Sequence, residues 1–97
     1  MRQGRGELTG RIREKSKELF GYEIDRTELR LMPYIQYVMC NEQVIKMEHC
    51  DKDDRNILSK WRKKGYIEGG ASGLAITKEF WDKINEIIFL GYVDLYE

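Results

Sequence analysis

The chain has 97 residues, which suits a single domain with one modest core. Hydrophobic residues make up 41% and charged residues 35% of it, a balance that excludes a disordered chain. Seventeen basic and seventeen acidic residues cancel, so the net charge by itself predicts no polyanionic partner. The longest apolar run is too short to span a bilayer, and the first residues lack the apolar stretch of a secretory signal. We therefore expect a cytoplasmic protein with no membrane partner.

Charge is unevenly distributed along the chain. Residues 1–21 and 51–65 each carry six basic and three acidic groups, so each segment has a net charge of +3. Residues 22–50 have a net charge of −2, and residues 66–97 have a net charge of −4. Any contact with a nucleic acid should therefore come from the two basic segments.

The chain begins with a polar stretch, and the first predicted helix follows it. The sequence MRQGRG contains two glycines and almost nothing to bury, which indicates a flexible basic arm over 1–7. A single domain should then occupy 8–97. Thr9 can cap a helix over about 9–20, and Gly21 can end that helix in the left-handed conformation.

The second predicted helix is apolar on most of its sides. Asp25 and Glu28 have the spacing of a capping box, in which each side chain accepts a hydrogen bond from the other residue's backbone N–H. The many apolar residues that follow indicate a central helix that packs on several faces. Pro33 lacks a backbone N–H, so it should either kink this helix or start it.

The segment 42–50 has no clear periodicity. Its apolar residues fit either a short strand or one helical turn, and we expect an extended segment that leads into the third helix.

The two cysteines raise the question of a metal site. Cys50 lies beside His49, but a zinc site would need a fourth ligand, such as Glu48 or Asp51, and no CxxC pair is present. We expect no metal and no other cofactor. The alternative that we favour is two reduced cysteines, Cys40 and Cys50, that are at least partly buried.

The third helix, over 51–64, is the clearest one. Acidic residues lie at its start, basic residues lie at its end, and Gly65 can end it. Ile57, Leu58 and Trp61 fall within one arc and should face the core. The opposite arc carries side chains that suit base edges and phosphates: Lys52, Arg55, Asn56, Ser59, Arg62 and Lys63.

Two observations limit that interpretation of the third helix. Basic residues near a helix C-terminus are common because they stabilise the helix dipole, and every surface helix has a polar face. Asp53 and Asp54 lie at the end of the helix that usually enters the groove, where they would repel phosphates unless they are turned away as caps.

The last third of the chain predicts a hairpin and a final helix. The pieces YIE and LAI indicate two strands joined by the glycine-rich loop EGGASG, residues 68–73. Thr77 can cap a helix over about 78–90 with a stripe of apolar residues, Trp81 and Phe89 widen that stripe, and Gly91 should end the helix. The predicted fold class is α+β and mostly helical.

The sequence ILSKWRKKGYIEGGASGLAITKEFW resembles the recognition helix and wing of MarR- and PadR-like winged helix-turn-helix proteins. The resemblance covers about 25–90 and implies a winged helix with a two-stranded β-hairpin wing and flanking N- and C-terminal helices. It also implies that the outer arc of the helix at 51–64 contacts the DNA groove and that a wing at 68–73 touches the backbone or minor groove. The sequence departs from the family in two respects: this wing has no Lys or Arg, and only a short segment before the third helix can supply the second helix of the motif.

Two functions are compatible with these features. The first is a small regulator that binds double-stranded DNA through the outer arc, with Arg2 and Arg5 of the arm reaching into the minor groove. The second is an interaction module, either a homodimer or a complex with another protein, that uses the last helix and the C-terminal tail: Trp81, Phe89, Tyr92, Val93, Leu95 and Tyr96. The small size and free cysteines suit an accessory regulator of a bacterium or phage.

We do not expect an enzyme. The sequence GGASG lacks the lysine of a phosphate-binding loop, and it lies in a predicted hairpin rather than between a strand and a helix. His49 is the one histidine of the chain, so any catalytic pair with Ser72 or with a cysteine would have to use it.

Overall fold

The computed structural model describes residues 6–70 and 72–94. The fold is α+β and mostly helical, as predicted. A single turn of 3₁₀-helix precedes the third helix, at Met47–His49, and a π-helical turn follows the fourth, at Phe89–Val93. The regular elements, in chain order, are α1 (Gly10–Phe20), α2 (Arg26–Cys40), α3 (Lys52–Lys63), β1 (Ile67–Gly70), β2 (Gly73–Ile76) and α4 (Lys78–Ile88).

The predicted helix ends are confirmed where they depend on local side chains. The Thr9 hydroxyl accepts a hydrogen bond from the Ile12 amide at the start of α1, and Gly21 ends that helix with φ of 84°. The capping box at the start of α2 is complete: Glu28 N donates to Asp25 Oδ1 over 2.8 Å, and Asp25 N donates to Glu28 Oε1 over 3.4 Å.

Pro33 lies inside α2, so the alternative in which the helix starts at Pro33 is wrong. The capping box fixes the start seven residues earlier, at Arg26. Pro33 cannot donate to the carbonyl of Leu29, which costs the helix one hydrogen bond. The buried side chains of Met32 and Ile35, on either side of it, pack into the core and hold the helix in place through this point.

The segment between α2 and α3 lies against the hairpin. The Leu74 amide donates to the Gln43 carbonyl, and the Ile45 amide donates to the Gly70 carbonyl. The extended segment expected here is therefore confirmed, although it forms no regular strand and ends in the 3₁₀ turn. Gln43 is the one described residue other than glycine with a positive φ, at 57°.

Substituting Gln43 with glycine should stabilise the protein by about 1 kcal/mol, because a left-handed conformation costs an L-residue about that much. The neighbouring Glu42, which has no positive φ, provides the matched control. Its substitution with glycine should instead destabilise the fold slightly. Urea unfolding of both variants measures the difference, and a loss of stability in the Gln43→Gly protein would contradict a strained backbone at this position.

The hairpin is longer, and its loop shorter, than the sequence indicated. Residues predicted as the loop 68–73 extend the two strands, whose register runs from the pair Ile67 and Ile76 to the pair Gly70 and Gly73. Only residues 71–72 connect the strands. Glycine permits this close pairing, because a Cβ at Gly69 would lie 2.2 Å from the carbonyl oxygen of Gly73.

The core lies between all four helices and the base of the hairpin, and its largest buried side chain is that of Trp61. The ring of Phe80 is edge-on to Trp61 at 5.1 Å and stacked on Tyr66 at 4.7 Å, so α3, the turn before β1 and α4 meet in one aromatic cluster. On the other side of α4, Gln36 Nε2 donates to Asn85 Oδ1 over 2.6 Å and joins α2 to α4.

The end of the last helix differs from the sequence prediction. Gly91 does not end α4. The helix widens into the π-turn after Ile88, and Gly91 lies within that turn. A Cβ at Gly91 would lie 3.4 Å from Ile12 Cδ1 and 3.5 Å from Leu29 Cδ1, which are ordinary contact distances, so the π-turn lies directly against α1 and α2. Phe89, expected to widen the apolar stripe, is 52% exposed instead. None of the described helices is both long and apolar enough to cross a membrane.

Candidate nucleic-acid interface

Burial of one side of α3 determines which residues it exposes. Leu58 and Trp61 are fully buried and Ile57 is half-buried, so the core-facing arc is the one that the sequence predicted. At about 100° per residue, the predicted outer arc spans roughly 120° of the helix. We call this arc the outer face of α3, and all six of its side chains are exposed: Lys52, Arg55, Asn56, Ser59, Arg62 and Lys63.

The acidic first turn of α3 is partly used by its own cap. Asp51 and Asp54 form a second capping box: Asp54 N donates to Asp51 Oδ1 over 2.8 Å, and Asp51 N donates to Asp54 Oδ2 over 3.1 Å. By helical position Asp54 lies on the core side of the helix, away from the outer face. Asp53 is exposed on the flank. One of the two carboxylates that would repel a phosphate is therefore turned away.

Two basic residues, Lys60 of α3 and Lys64 at its C-cap, lie near the junction of α1 and α2 rather than on the outer face. The ammonium group of Lys60 lies 3.5 Å from Glu28 Oε1 and 4.2 Å from the centre of the Tyr22 ring. The ammonium group of Lys64 lies 4.6 Å from the same ring. These bases therefore fix α3 against the rest of the fold.

Glu28 is the centre of this polar cluster. Its side chain is 2% exposed, and Oε2 accepts a hydrogen bond of 2.9 Å from the Tyr22 hydroxyl. Burial and this hydrogen bond raise the pKa of Tyr22 above its usual range, so the hydroxyl keeps its proton and remains a donor. The sequence pointed to Glu28 only as half of a capping box and gave no sign of its contacts with Tyr22 and Lys60, because those contacts form only in the folded chain.

Arg62 connects the outer face of α3 to the hairpin. Its Nε donates a hydrogen bond of 2.7 Å to the carbonyl oxygen of Gly69. A hollow of about 330 Å³, bordered by Arg62, Glu68 and Thr77 among others, opens between the end of α3 and the two strands. No ion pair joins Arg62, Lys52 or Lys63 to an acidic residue among those that the structure describes.

The basic N-terminal segment contributes less free charge than its sequence suggests. Arg2 and Arg5 of the predicted arm lie outside the described residues. Arg11 forms an ion pair of 3.4 Å with Asp94, and Lys15 lies 3.6 Å from Glu18 and 3.8 Å from Glu86. These bases of α1 are therefore partly neutralised within the fold.

The cysteines differ from each other in burial. Cys40 is exposed, which corrects the expectation that both thiols are at least partly buried, because it lies one turn after the exposed Tyr37 on the same side of α2. Cys50 is buried, and burial raises the pKa of its thiol. Within residues 6–70 and 72–94, no group of three or more His, Cys, Asp or Glu side chains is arranged to hold a metal ion.

No protein-family model, curated protein or solved structure matches this chain. The resemblance to winged-helix proteins therefore stays a prediction. The outer face of α3 and its neighbours provide the chemistry from which a function can be inferred.

Proposed function

We propose that this protein binds double-stranded DNA through the outer face of α3, as a small winged-helix regulator. The observation that carries the proposal is the exposure of all six polar side chains of that face on one continuous arc of a helix whose other side is anchored in the core. An α-helix fits the major groove, and this arc combines fixed positive charge with groups that can both donate and accept hydrogen bonds.

The positions along α3 suggest different roles for its residues. Arg55 and Asn56 lie in the first half of the helix, the part that usually contacts base edges. An arginine can form two hydrogen bonds to guanine, and an asparagine can form two to adenine. Lys52, Ser59 and Lys63 suit phosphate oxygens, which position a protein on the duplex without selecting a sequence.

The hairpin supports this arrangement as a brace rather than as a second contact surface. The connection over 71–72 is short, and the strands carry one charged side chain, that of Glu68. Most of the affinity for DNA should therefore come from α3. If its four outer bases each neutralise one phosphate, the logarithm of the binding constant should fall against the logarithm of salt concentration with a slope of about −3 to −4.

A titration onto short DNA duplexes at low and moderate salt tests the proposal. Replacing Arg55 and Asn56 with alanine should relax sequence preference, whereas Lys63→Ala should weaken binding to all sequences alike and reduce the salt slope by about 1. Lys78→Ala is the control, because Lys78 is an exposed base on α4. An absence of binding even at low salt, or an equal loss in the Lys78→Ala protein, would contradict the proposal.

The alternative function, an interaction module, has one specific observation in its favour. Phe89 and Val93, at the two ends of the π-helical turn after α4, are 52% and 66% exposed. These side chains could form part of a homodimer or of a complex with another protein. Trp81 and Tyr92, which the sequence grouped with them, are half-buried, while Leu95 and Tyr96 lie outside the described residues. A mass that stays monomeric across a wide range of concentration would remove the homodimer version.

A further inference from the structure

We infer that Arg62 clamps the hairpin to α3 and presents its guanidinium group to a DNA phosphate. The first half of this inference concerns the free protein. The second half rests on the proposed function, and it makes Arg62 a phosphate-binding and positioning residue, distinct from the base-contacting role proposed for Arg55.

The clamp follows from the contacts of the guanidinium group. Arg62 Nε is committed to the Gly69 carbonyl at 2.7 Å. A Cβ at Gly70 would lie 2.8 Å from Arg62 Nη2, so the absence of a side chain there provides the space that the guanidinium group occupies. Because the next residues along the hairpin pair with the segment around Gln43 and Ile45, this contact joins three parts of the chain at the outer edge of α3.

The charge of Arg62 explains why a phosphate is the proposed ligand. The group is exposed, and no acidic residue among those described lies within ion-pairing distance of it. With Nε held by a carbonyl, the two terminal nitrogens retain their N–H donors in a fixed orientation. Such a fork matches the oxygens of one phosphate group.

The clamp can be tested without DNA. In ¹⁵N NMR spectra of the free protein, the Nε–H signal of Arg62, assigned by its loss in the Arg62→Ala protein, should be protected from exchange with water. Gly70→Ala should abolish that protection, because the added methyl group occupies the place of Nη2. Lys63→Ala should leave it unchanged. Protection that persists in the Gly70→Ala protein would overturn the clamp.

The phosphate contact is tested by DNA affinity in a double-mutant cycle. Arg62→Ala should weaken binding to all sequences by about tenfold or more and reduce the salt slope by about 1. Gly70→Ala keeps every charge, yet it should weaken binding comparably in the wild-type background and have a much smaller effect in the Arg62→Ala background. Arg62→Lys should recover the salt slope without recovering the full affinity.

The outcomes of the cycle separate the inference from the proposed function. Gly70 has φ of 153°, so its substitution also strains the backbone, but that strain is present in both backgrounds and cancels in the cycle. Equal losses from Gly70→Ala in the two backgrounds would overturn the phosphate contact while leaving DNA binding intact. If no variant, including the wild type, binds DNA, the proposed function fails and the clamp is judged by the NMR result alone.

Discussion

Replacing Trp61 with alanine should destabilise the protein by about 3–5 kcal/mol, which is the usual cost of removing a large buried aromatic side chain. Trp61 is 1% exposed and contacts the Phe80 ring where α3, the turn before β1 and α4 meet. The cavity left behind cannot collapse easily, because Phe80 is also stacked on Tyr66. The same substitution should loosen α3 and therefore impair any function of its outer face.

Trp81 provides a matched control for this experiment. It is the second tryptophan of the chain, and it is half-buried on α4 rather than enclosed. Because less of its apolar surface is removed from water, Trp81→Ala should cost less than half as much. Urea unfolding followed by the fluorescence of the remaining tryptophan measures both free energies of unfolding. Equal losses in the two variants would contradict the central position of Trp61.

Glu28→Ala should destabilise the protein by about 2–3 kcal/mol. This substitution removes the side-chain half of the capping box, the acceptor for the Tyr22 hydroxyl and the partner of the Lys60 ammonium group. Most of the lost stability should come from the capping box and the Tyr22 hydrogen bond, because Lys60 is 39% exposed and water weakens its ion pair. The Tyr22 hydroxyl would be left half-buried without an acceptor.

Glu28→Gln separates the charge of this carboxylate from its hydrogen bonds. The amide oxygen can still accept from either Tyr22 or the Asp25 amide, so we expect a loss of about 1 kcal/mol. Thermal or urea unfolding of both variants at neutral pH provides the comparison. If the Glu28→Gln protein were as unstable as the Glu28→Ala protein, the negative charge near Lys60, rather than the hydrogen bonds, would carry the stabilisation.

Local chemistry made most of the helices predictable. Thr9, Asp25 and Thr77 cap helices through hydrogen bonds to residues three positions later, and Gly21 and Gly65 adopt the left-handed conformation that ends them. These caps and helix ends depend only on residues that are close together in the sequence, so the sequence pattern predicts them. The outer arc of α3 was predictable for the same reason, because the period of a helix and the position of its apolar residues determine which side is exposed.

The predictions that were wrong, or that left alternatives open, involve contacts between distant parts of the chain. Packing of Met32 and Ile35 allows α2 to continue through Pro33. Gly91 belongs to a π-turn that fits against Ile12 and Leu29, which no local pattern indicates. The glycines of the predicted loop extend the strands because they tolerate a close approach between backbones.

In the candidate site, too, local features were predictable from the sequence and contacts between distant residues were not. The residue types on the outer face of α3 and their spacing were evident from the sequence. The partners that orient the helix were not, since the contacts of Tyr22 with Lys60 and of Arg62 with Gly69 join residues from different elements. These contacts separate two groups of bases: Lys60 and Lys64 lie against the Tyr22 ring, whereas the bases of the outer face are exposed.

An NMR titration of the ¹⁵N-labelled protein with a short DNA duplex at low salt tests the proposed DNA binding most directly. We expect the largest changes in amide chemical shift along the outer face of α3, centred on Arg55, Asn56 and Ser59, and their reversal as salt is raised. The amides around Phe89 and Val93 should change little. Changes confined to that π-helical turn, or no changes at low salt, would contradict DNA binding by α3.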